Sequence, residues 1–361
     1  MKNLILKLLD THEFSVEEVE LYKADADARF CVIQENEGKL KVAVEIQPEL
    51  RTACIEEFVN AVAFPEDLKR TDRKNPFEFY SEINSFLEKY NPSYFYSPKT
   101  NLFFDAIKKT QGIGISHVFL PSGFSLPDGS NPDFILFSEL IKKMGDIRSS
   151  SDFKDQYKKW KENFEKSYKS AREYVDALFE KYSRLLVVRL DLGFKKSLSG
   201  EEFSIEDTKK LMKRFLNANR SNKIFNDVVG YIWKMEYGES KGYHYHLLIF
   251  LDGADAHKDV YRGLRMGQYW IELTQGRGAF YLSNFNKRYF HKRGLLGIGM
   301  ISHFEQKKRG NLDKILRYFF KEDQYIKEKP KKGARVFGKG KIPLLGKPGI
   351  GRPRNVRDSE S

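Results

Sequence analysis

The stretch Val228–Leu251 reads VVGYIWKMEYGESKGYHYHLLIFL and decides the fold of this chain. Val228–Tyr237 and Tyr243–Leu251 are rich in β-branched and aromatic residues, which favour strands. The five residues GESKG between them begin and end with glycine, as a hairpin loop often does. The stretch therefore predicts an antiparallel β-hairpin.

The hairpin carries a cluster of candidate metal ligands. Alternate residues of a strand share a face, so His244 and His246 point the same way. If Tyr237 pairs with Tyr243 across the loop, Glu236 lies directly opposite His244, within about 5 Å at Cβ. Two imidazoles and one carboxylate, with no thiolate, suit Mn²⁺ or Mg²⁺, although imidazole also suits Zn²⁺. Two strand histidines that bind nothing are the alternative interpretation.

The segments around the hairpin predict a mixed α+β architecture. In the strand Arg184–Leu192, Arg189 and Asp191 share one face, where a structural role is favoured at least as much as a role in a site. The other predicted elements are the helix Ser204–Asn217, a partly helical segment over 257–275, the strand Gly294–Ser302, and the helix Asn311–Ile326 after the breaker Gly310. This order favours an antiparallel sheet with helices on one face.

Charge is distributed unevenly along the 361 residues, whose formal net charge is +13. Residues 1–150 hold 18 Lys and Arg against 24 Asp and Glu, whereas residues 151–361 hold 45 against 26. This asymmetry indicates a polyanion partner, with nucleic acid first and a membrane surface second. The sequence predicts four regions along the chain. A separate mixed α/β N-terminal domain of unknown role covers 1–150, and a connecting helix covers 151–183. The domain with the hairpin covers 184–328, and a basic, disordered tail covers 329–361.

The N-terminal region has its own predicted elements. They are the strands Arg29–Gln34 and Leu40–Ile46, the helices Thr52–Val62 and Phe77–Tyr90, and a loop-rich stretch over 120–133. The two cysteines, Cys31 and Cys54, are too few for a disulfide framework. No apolar run approaches the ~20 residues that span a bilayer, and the first residues lack the features of a signal peptide. We therefore expect a cytoplasmic protein without a membrane partner.

A second candidate site lies in the helix Asn311–Ile326. Tyr318 and Lys321 are three residues apart and share a face of this helix. A tyrosine beside a cation can act as a nucleophile, because the cation stabilises phenolate or phosphate charge. An aromatic helix face also commonly packs into a core, so the spacing alone leaves both interpretations open.

Taken in order, the aliphatic strand, the His-x-His strand and the Tyr-x-x-Lys helix resemble the HUH endonuclease superfamily. Within it, the chain looks similar to inovirus gene II type replication proteins, which are also found in prophages as YagK/YfjJ C-terminal domain proteins. The resemblance covers about 184–340 and is carried by Val187–Leu192, Tyr231–Gly238, Lys241–His246 and Tyr318–Ile326.

The resemblance implies an RRM-like, ferredoxin-like sheet that binds Mn²⁺ or Mg²⁺ and a tyrosine that cuts single-stranded DNA. By this carry-over the metal ligands are His244, His246 and Glu236, the nucleophile is Tyr318, its cationic neighbour is Lys321, and a candidate second nucleophile is Tyr325. The expected function is rolling-circle replication initiation for a filamentous phage or prophage-like element, through a 5′-phosphotyrosine intermediate. The expected partners are single-stranded DNA at a replication origin and a host helicase and polymerase, with no small-molecule cofactor.

Basic and aromatic residues of the C-terminal region are candidates for binding the strand by charge and stacking. They are Lys234, Arg262, Arg265, Tyr269, Trp270, Arg288, Tyr289 and Lys292. Three alternatives stay open at this point: a relaxase or transposase with the same chemistry, a noncatalytic nucleic-acid-binding protein on an RRM-like sheet, and a structural zinc protein that a chelator would unfold.

Overall fold

The computed structural model describes residues 28–36, 39–46, 52–67, 75–87, 90, 92, 96–111, 132–195, 203–238, 242–320 and 335–344. Its strands are β1 (Ala28–Asn36), β2 (Lys39–Ile46), β3 (Arg184–Phe194), β4 (Val228–Gly238), β5 (Gly242–Asp252), β6 (Gly278–Leu282), β7 (Gly299–Ser302) and β8 (Phe337–Lys339). Its α-helices are α1 (Thr52–Ala63), α2 (Ile83–Leu87), α3 (Pro98–Gln111), α4 (Pro132–Ser149), α5 (Ser151–Lys181), α6 (Ile205–Asn217), α7 (Asp259–Leu273), α8 (Lys287–Lys292) and α9 (Gln306–Phe319).

The chain forms two compact units. One contains the described parts of Met1–Glu49, Ser167–Phe320 and Gly333–Ser361, and the other contains those of Leu50–Lys166. The division falls inside the long helix α5, whereas the predicted domain limits fall on either side of this helix. The strands β1 and β2 also belong to the first unit rather than to the helices that follow them. The domain limits drawn from the sequence therefore differ from the limits of the compact units.

The unit within 50–166 is helical around an aromatic core. Phe58 of α1 is fully buried, and its ring contacts those of Phe103 in α3 and Phe137 in α4 at centroid distances of 5.9 and 5.8 Å. The prediction of a helix over Thr52–Val62 is confirmed. The helix predicted over Phe77–Tyr90 begins instead as a 3₁₀ helix at Pro76–Glu82 and continues as α2. The predicted loop-rich stretch 120–133 lies almost entirely outside the described residues.

The other unit contains two antiparallel sheets. The strands β1 and β2, both predicted from the sequence, pair with each other. The larger sheet has six strands in the order β6-β3-β5-β4-β8, and β7 pairs with the first residues of β3 beside β6. The hairpin register is the predicted one, with Tyr237 opposite Tyr243 and Glu236 opposite His244. A mixed α+β fold with an antiparallel sheet is thus confirmed.

Helices α6 and α7 cover one face of the larger sheet. The side chain of Ser204 caps α6 by accepting a hydrogen bond from the backbone N–H of Asp207. Tyr245, on the face of β5 away from the histidines, donates its hydroxyl to the backbone oxygen of Thr208 in α6 at 3.4 Å. The ring of Phe280 fills the space beside Gly267 in α7. This face therefore holds an apolar core between the sheet and two helices.

Helices α5 and α9 pack on the opposite face, which carries His244 and His246. A side chain at Gly230 in β4 would collide with Tyr174 and Leu178 of α5, so glycine permits this close approach. The rings of Phe319 in α9 and His246 are 5.8 Å apart. The prediction that helices lie on one face is therefore wrong, because aromatic residues of α5 and α9 bury the second face as well.

Two predicted elements near the C-terminus change in extent. The helix α9 begins at Gln306 and runs through Gly310, which was predicted to break it. One glycine costs a helix only ~1 kcal/mol, and the buried stripe of Leu312, Leu316 and Phe319 outweighs that cost. The strand predicted over Gly294–Ser302 is shortened to β7.

The prediction of a disordered basic tail is wrong for Phe337–Lys339. These residues form β8 and pair with β4, extending the larger sheet. The ring of Phe337 contacts that of Phe320 at 4.8 Å, and the backbone N–H of Met235 donates to the oxygen of Val336 at 2.8 Å. Residues 345–361 lie outside the described part of the chain.

Replacing Trp270 of α7 with alanine is expected to destabilise the sheet unit by ~3–5 kcal/mol, the usual cost of truncating a buried tryptophan. The side chain is fully buried, packs against Phe194 and Phe215, and donates its indole N–H to the oxygen of Gly193 at 2.8 Å. Urea unfolding followed by circular dichroism measures the loss. Tyr261→Ala on the same helix is the control, because that residue is 56% exposed. A loss below ~1 kcal/mol for Trp270→Ala would contradict this packing.

Candidate metal centre

Three side chains of the hairpin converge on one face of the larger sheet. Glu236 Oε2 lies 3.2 Å from His246 Nε2 and 3.9 Å from His244 Nε2. One ligand atom of each residue lies within 4.8 Å of the others, and each residue is partly shielded from solvent. The sequence prediction brought these three residues together correctly, and the group could hold a metal ion.

The position of His244 follows from the local sequence. Its Nδ1 lies 3.0 Å from the backbone oxygen of Gly242, at the start of β5. A ring nitrogen that donates to a carbonyl carries the proton, which leaves Nε2 with a lone pair for a metal. Because Nε2 is the nitrogen nearest Glu236, the loop end orients this imidazole toward the cluster.

His246 is held by a fourth residue, Asp191, for which the sequence favours a structural role at least as much as a role in a site. Asp191 of β3 pairs directly with His246 of β5, and its Oδ1 lies 2.9 Å from His246 Nδ1. Carboxylates that contact the far nitrogen of a metal-binding histidine fix its ring orientation and raise its basicity. Asp191 thus extends the cluster to the neighbouring strand.

Opposite charges dominate the electrostatics of the cluster. Burial alone would raise the carboxyl pKa values, but the combined attraction of His246, Lys234 and His244 outweighs burial, and the pKa of Glu236 falls to about 2. The pKa of Asp191 is likewise held below its usual range by His246 and, to a smaller extent, Arg189. Burial disfavours the charged imidazole of His246, yet the two carboxylates raise its pKa to about 10. Since metal ligands must be deprotonated, a cation bound here displaces that proton.

The donor set fits a divalent cation. Glu236 Oε1 is buried and accepts no hydrogen bond among the residues that the structure describes, and Lys234 Nζ lies 3.8 Å away. A buried carboxylate oxygen without a donor is costly unless another positive group approaches it. Two imidazole nitrogens and a carboxylate oxygen suit Mn²⁺, Zn²⁺ or, with added water, Mg²⁺.

Aromatic residues at the end of α9 border the cluster. The Phe319 ring lies 5.8 Å from that of His246, and the guanidinium of Arg189 lies 5.4 Å from the Phe319 centroid. Tyr318, the preceding residue, is therefore in the turn of α9 that reaches the metal-ligand face, which is the sheet face with His244 and His246. The side chain of Tyr318 is outside the described part of the chain. The predicted sites Lys321 and Tyr325 also lie outside the described residues.

The structure separates the predicted DNA-binding residues. Lys234 is beside Glu236, within the cluster. Arg262 and Arg265 belong to α7, on the opposite face of the sheet, where Arg262 forms an ion pair with Asp227. Lys292 of α8 is exposed, as is its neighbour Arg288.

Two aromatic DNA-binding candidates belong to the hydrophobic core instead. Trp270 is fully buried, so its assignment to base stacking is wrong. Tyr269 packs against Phe215 and Phe225 at ring distances of 5.9 and 5.8 Å. Tyr289, by contrast, is half-buried beside Arg293. Basic neighbours in the sequence gave Trp270 an apparent nucleic-acid role that its packing contradicts.

Asp191→Asn is expected to weaken Mn²⁺ binding by ~10–100-fold, the usual effect of removing a residue that orients a metal ligand. Asparagine keeps the size of the side chain but removes the charge that supports His246 Nδ1. Isothermal titration with Mn²⁺ measures the change. Asp255→Asn, at an exposed position after β5, is the matched control. Equal affinities for the two variants would exclude a role of Asp191 in positioning the metal ligand.

No described helix is both long enough and apolar enough to cross a membrane. Searches of curated proteins and of solved structures found no significant match to the chain. One family does match: residues 148–340, which are more than half of the chain, align with the YagK/YfjJ C-terminal domain. This range includes β3 to β8 with all members of the Glu236, His244 and His246 cluster. The chain therefore belongs to the YagK/YfjJ C-terminal domain family.

Proposed function

We propose that this protein is an HUH-type endonuclease and strand transferase that cuts single-stranded DNA and initiates rolling-circle replication. The observation that carries the proposal is the convergence of Glu236, His244 and His246 on one sheet face, with the end of α9 beside them. A metal cluster and a tyrosine-bearing helix at one place supply the two parts that a phosphotyrosine mechanism needs.

The strand order supports an RRM-like domain. The strands β3, β4, β5 and β6, with α6 after β3 and α7 after β5, follow the order of a β-α-β-β-α-β unit. Both crossover helices lie on the face away from the histidines. The central strands β3 and β5 therefore present Asp191 and the two histidines on the face that α6 and α7 do not cover.

The proposed reaction is a transesterification. A divalent cation, Mn²⁺ or Mg²⁺, held by Glu236, His244 and His246 would polarise the scissile phosphate and stabilise its charge. The Tyr318 hydroxyl oxygen attacks phosphorus, and the bond from phosphorus to the 3′ oxygen breaks. The tyrosine proton ends on the departing oxygen, directly or through solvent, which leaves a 5′-phosphotyrosine and a free 3′-OH. Lys321 offsets negative charge at the phosphate, and Tyr325 is the candidate second nucleophile.

The partners follow from this chemistry. The phosphotyrosine ester retains the energy of the phosphodiester bond, so joining requires no nucleotide cofactor. The free 3′-OH can prime a host polymerase, and a host helicase would unwind the duplex ahead of it. These partners place the proposed activity in the cytoplasm of a bacterium that carries a filamentous phage or prophage-like element.

A nicking assay tests the proposal. Single strands from the DNA that surrounds the gene are incubated with the protein and Mn²⁺, and the products are resolved under denaturing conditions. We expect a covalent protein–DNA adduct and a free 3′ end, both absent when a chelator is present. If a chelator instead unfolds the protein, the cluster is a structural zinc site. If His244→Ala keeps every measurable activity, a noncatalytic nucleic-acid-binding function replaces the proposal.

A further inference from the structure

A basic cavity lies at the edge of the larger sheet, away from Glu236, His244 and His246, which are called the metal-ligand cluster below. Its volume is about 330 Å³, at the lower end of the range for small-ligand sites. It is formed by α8, β7, the segment before β7 and the start of α9, and its lining residues are Lys287, Arg288, His291, Leu296, Ile298, Gly299, Met300 and Lys308. The lining includes three lysine or arginine residues and one histidine but no carboxylate.

The two lysines of the cavity are held in fixed positions. Lys287 Nζ lies 2.7 Å from Oδ1 of the buried Asp259, and Lys308 Nζ donates to the backbone oxygen of Met300 at 3.1 Å and contacts Glu305. These contacts orient the ammonium groups, so a bound ligand does not have to order them. They also pair each ammonium group with a carboxylate, Asp259 for Lys287 and Glu305 for Lys308.

Buried polar groups also fix the walls of the cavity. The side chain of Asn311, which is 4% exposed, donates to the backbone oxygens of Gly294 and Leu296. Gly299 has φ +82°, and a side chain there would press on Lys287 at 3.0 Å. Glycine thus allows the backbone of β7 and the lysine to approach each other at this wall.

Positive charge is concentrated beside the cavity. The segment 287–293 reads KRYFHKR, with four lysine or arginine residues, one histidine and no acidic residue. Arg288, His291 and Lys292 are exposed, so an anion can reach them from solvent. Planar guanidinium groups are well suited to phosphate oxygens.

The cavity is distinct from the metal-ligand cluster. Gly299 pairs with Val187 of β3, four residues before Asp191, which pairs with His246 of β5. With ~3.3 Å per residue along a strand and ~4.8 Å between strands, the backbones of Gly299 and His246 are about 16 Å apart. A strand whose scissile phosphate lies at the cluster can therefore place another phosphate, a few nucleotides away, at the cavity.

We propose that the cavity beside α8 binds a backbone phosphate of the DNA strand whose scissile phosphate is held at the metal-ligand cluster. The inference rests on the proposed function, because that function supplies the strand. The ligand chemistry is a phosphate group, and inorganic phosphate is the competing source that the experiment separates from DNA.

The test compares Arg288→Glu with Arg214→Glu, the same change at an exposed position on α6. Binding of an oligothymidylate of about 16 nucleotides is measured by fluorescence anisotropy in EDTA, which removes any contribution of a bound metal. We expect Arg288→Glu to weaken binding at least ~5-fold and to reduce the slope of log K against log salt by ~0.7, the value for one phosphate contact on a single strand. Arg214→Glu is expected to stay within ~2-fold of wild type.

Three outcomes decide the matter once circular dichroism shows that both variants are folded. Equal binding by the two variants overturns the proposal. Stabilisation of wild type by inorganic phosphate that Arg288→Glu abolishes, with unchanged oligonucleotide binding, also overturns it, because the cavity then takes free phosphate. Selective loss of oligonucleotide binding supports it. The last result stands even if no strand is ever cut, so failure of the proposed function is seen separately in the nicking assay.

Discussion

Glu236→Gln is expected to weaken Mn²⁺ binding at least ~100-fold, more than removal of the orienting Asp191, because Glu236 is a ligand itself. Glu236 is the acidic member of the cluster, and its Oε2 approaches both imidazoles. Glutamine keeps an oxygen but loses the charge, while Lys234, 3.8 Å from Glu236 Oε1, still repels a cation. The site therefore loses its negative charge and keeps a neighbouring positive one, which disfavours a bound cation. Isothermal titration measures the resulting Mn²⁺ affinity.

The control for this variant is Glu272→Gln, at an exposed position on α7, on the other face of the sheet. It makes the same change in net charge, so any general effect of charge appears in both variants. We expect the control to bind Mn²⁺ as wild type does. If Glu236→Gln retains wild-type affinity for Mn²⁺, Glu236 is not a ligand, and the three side chains together do not form the metal site.

The convergence of Glu236, His244 and His246 could be predicted from the sequence because its geometry is local. The short loop fixes the register of β4 against β5, and register decides that Glu236 and His244 face each other. Asp191 could not be placed in the same way. Its contact with His246 requires β3 to pair with β5, and more than 50 residues separate these partners in the chain. Alternation put Asp191 on a face with Arg189 but did not identify the strand beside it.

The errors in the fold have the same origin. The strands β6 and β8 are 5 and 3 residues long, so their sequences alone give a weak signal and their pairing with β3 and β4 stabilises them.

The burial of Trp270 was detectable in principle. Gly263, Met266, Gly267 and Trp270 recur at helical spacing and are the buried face of α7. The basic residues on the rest of that helix obscured this pattern.

Tyr318→Phe is expected to remove the covalent DNA adduct, with a loss of at least ~10³-fold in strand cleavage, because phenylalanine has no hydroxyl to attack phosphorus. Tyr318 is in the last turn of α9, and the next residue, Phe319, packs 5.8 Å from the His246 ring. The metal ligands are unchanged in this variant, so Mn²⁺ affinity and oligonucleotide binding should equal those of wild type. Adduct formation on labelled single strands measures the loss.

Two further tyrosines sharpen this experiment. Tyr261→Phe is the control, because Tyr261 is exposed on α7, away from the metal-ligand face. Tyr281 is the alternative nucleophile: it pairs with Asp191 on the metal-ligand face and contacts Asn286 at 2.6 Å. Burial raises the pKa of Tyr281 to about 12, which disfavours its phenolate.

Adduct mapping by mass spectrometry assigns the nucleophile. A phosphotyrosine at Tyr318 in wild type, retained in Tyr261→Phe and Tyr281→Phe, supports the proposal. An adduct at Tyr281, or one that survives Tyr318→Phe undiminished, would show that α9 packs beside the metal-ligand face without supplying the nucleophile. Tyr325→Phe then distinguishes two mechanisms, since loss of strand joining with intact first cleavage requires a second tyrosine, whereas unchanged joining requires only one.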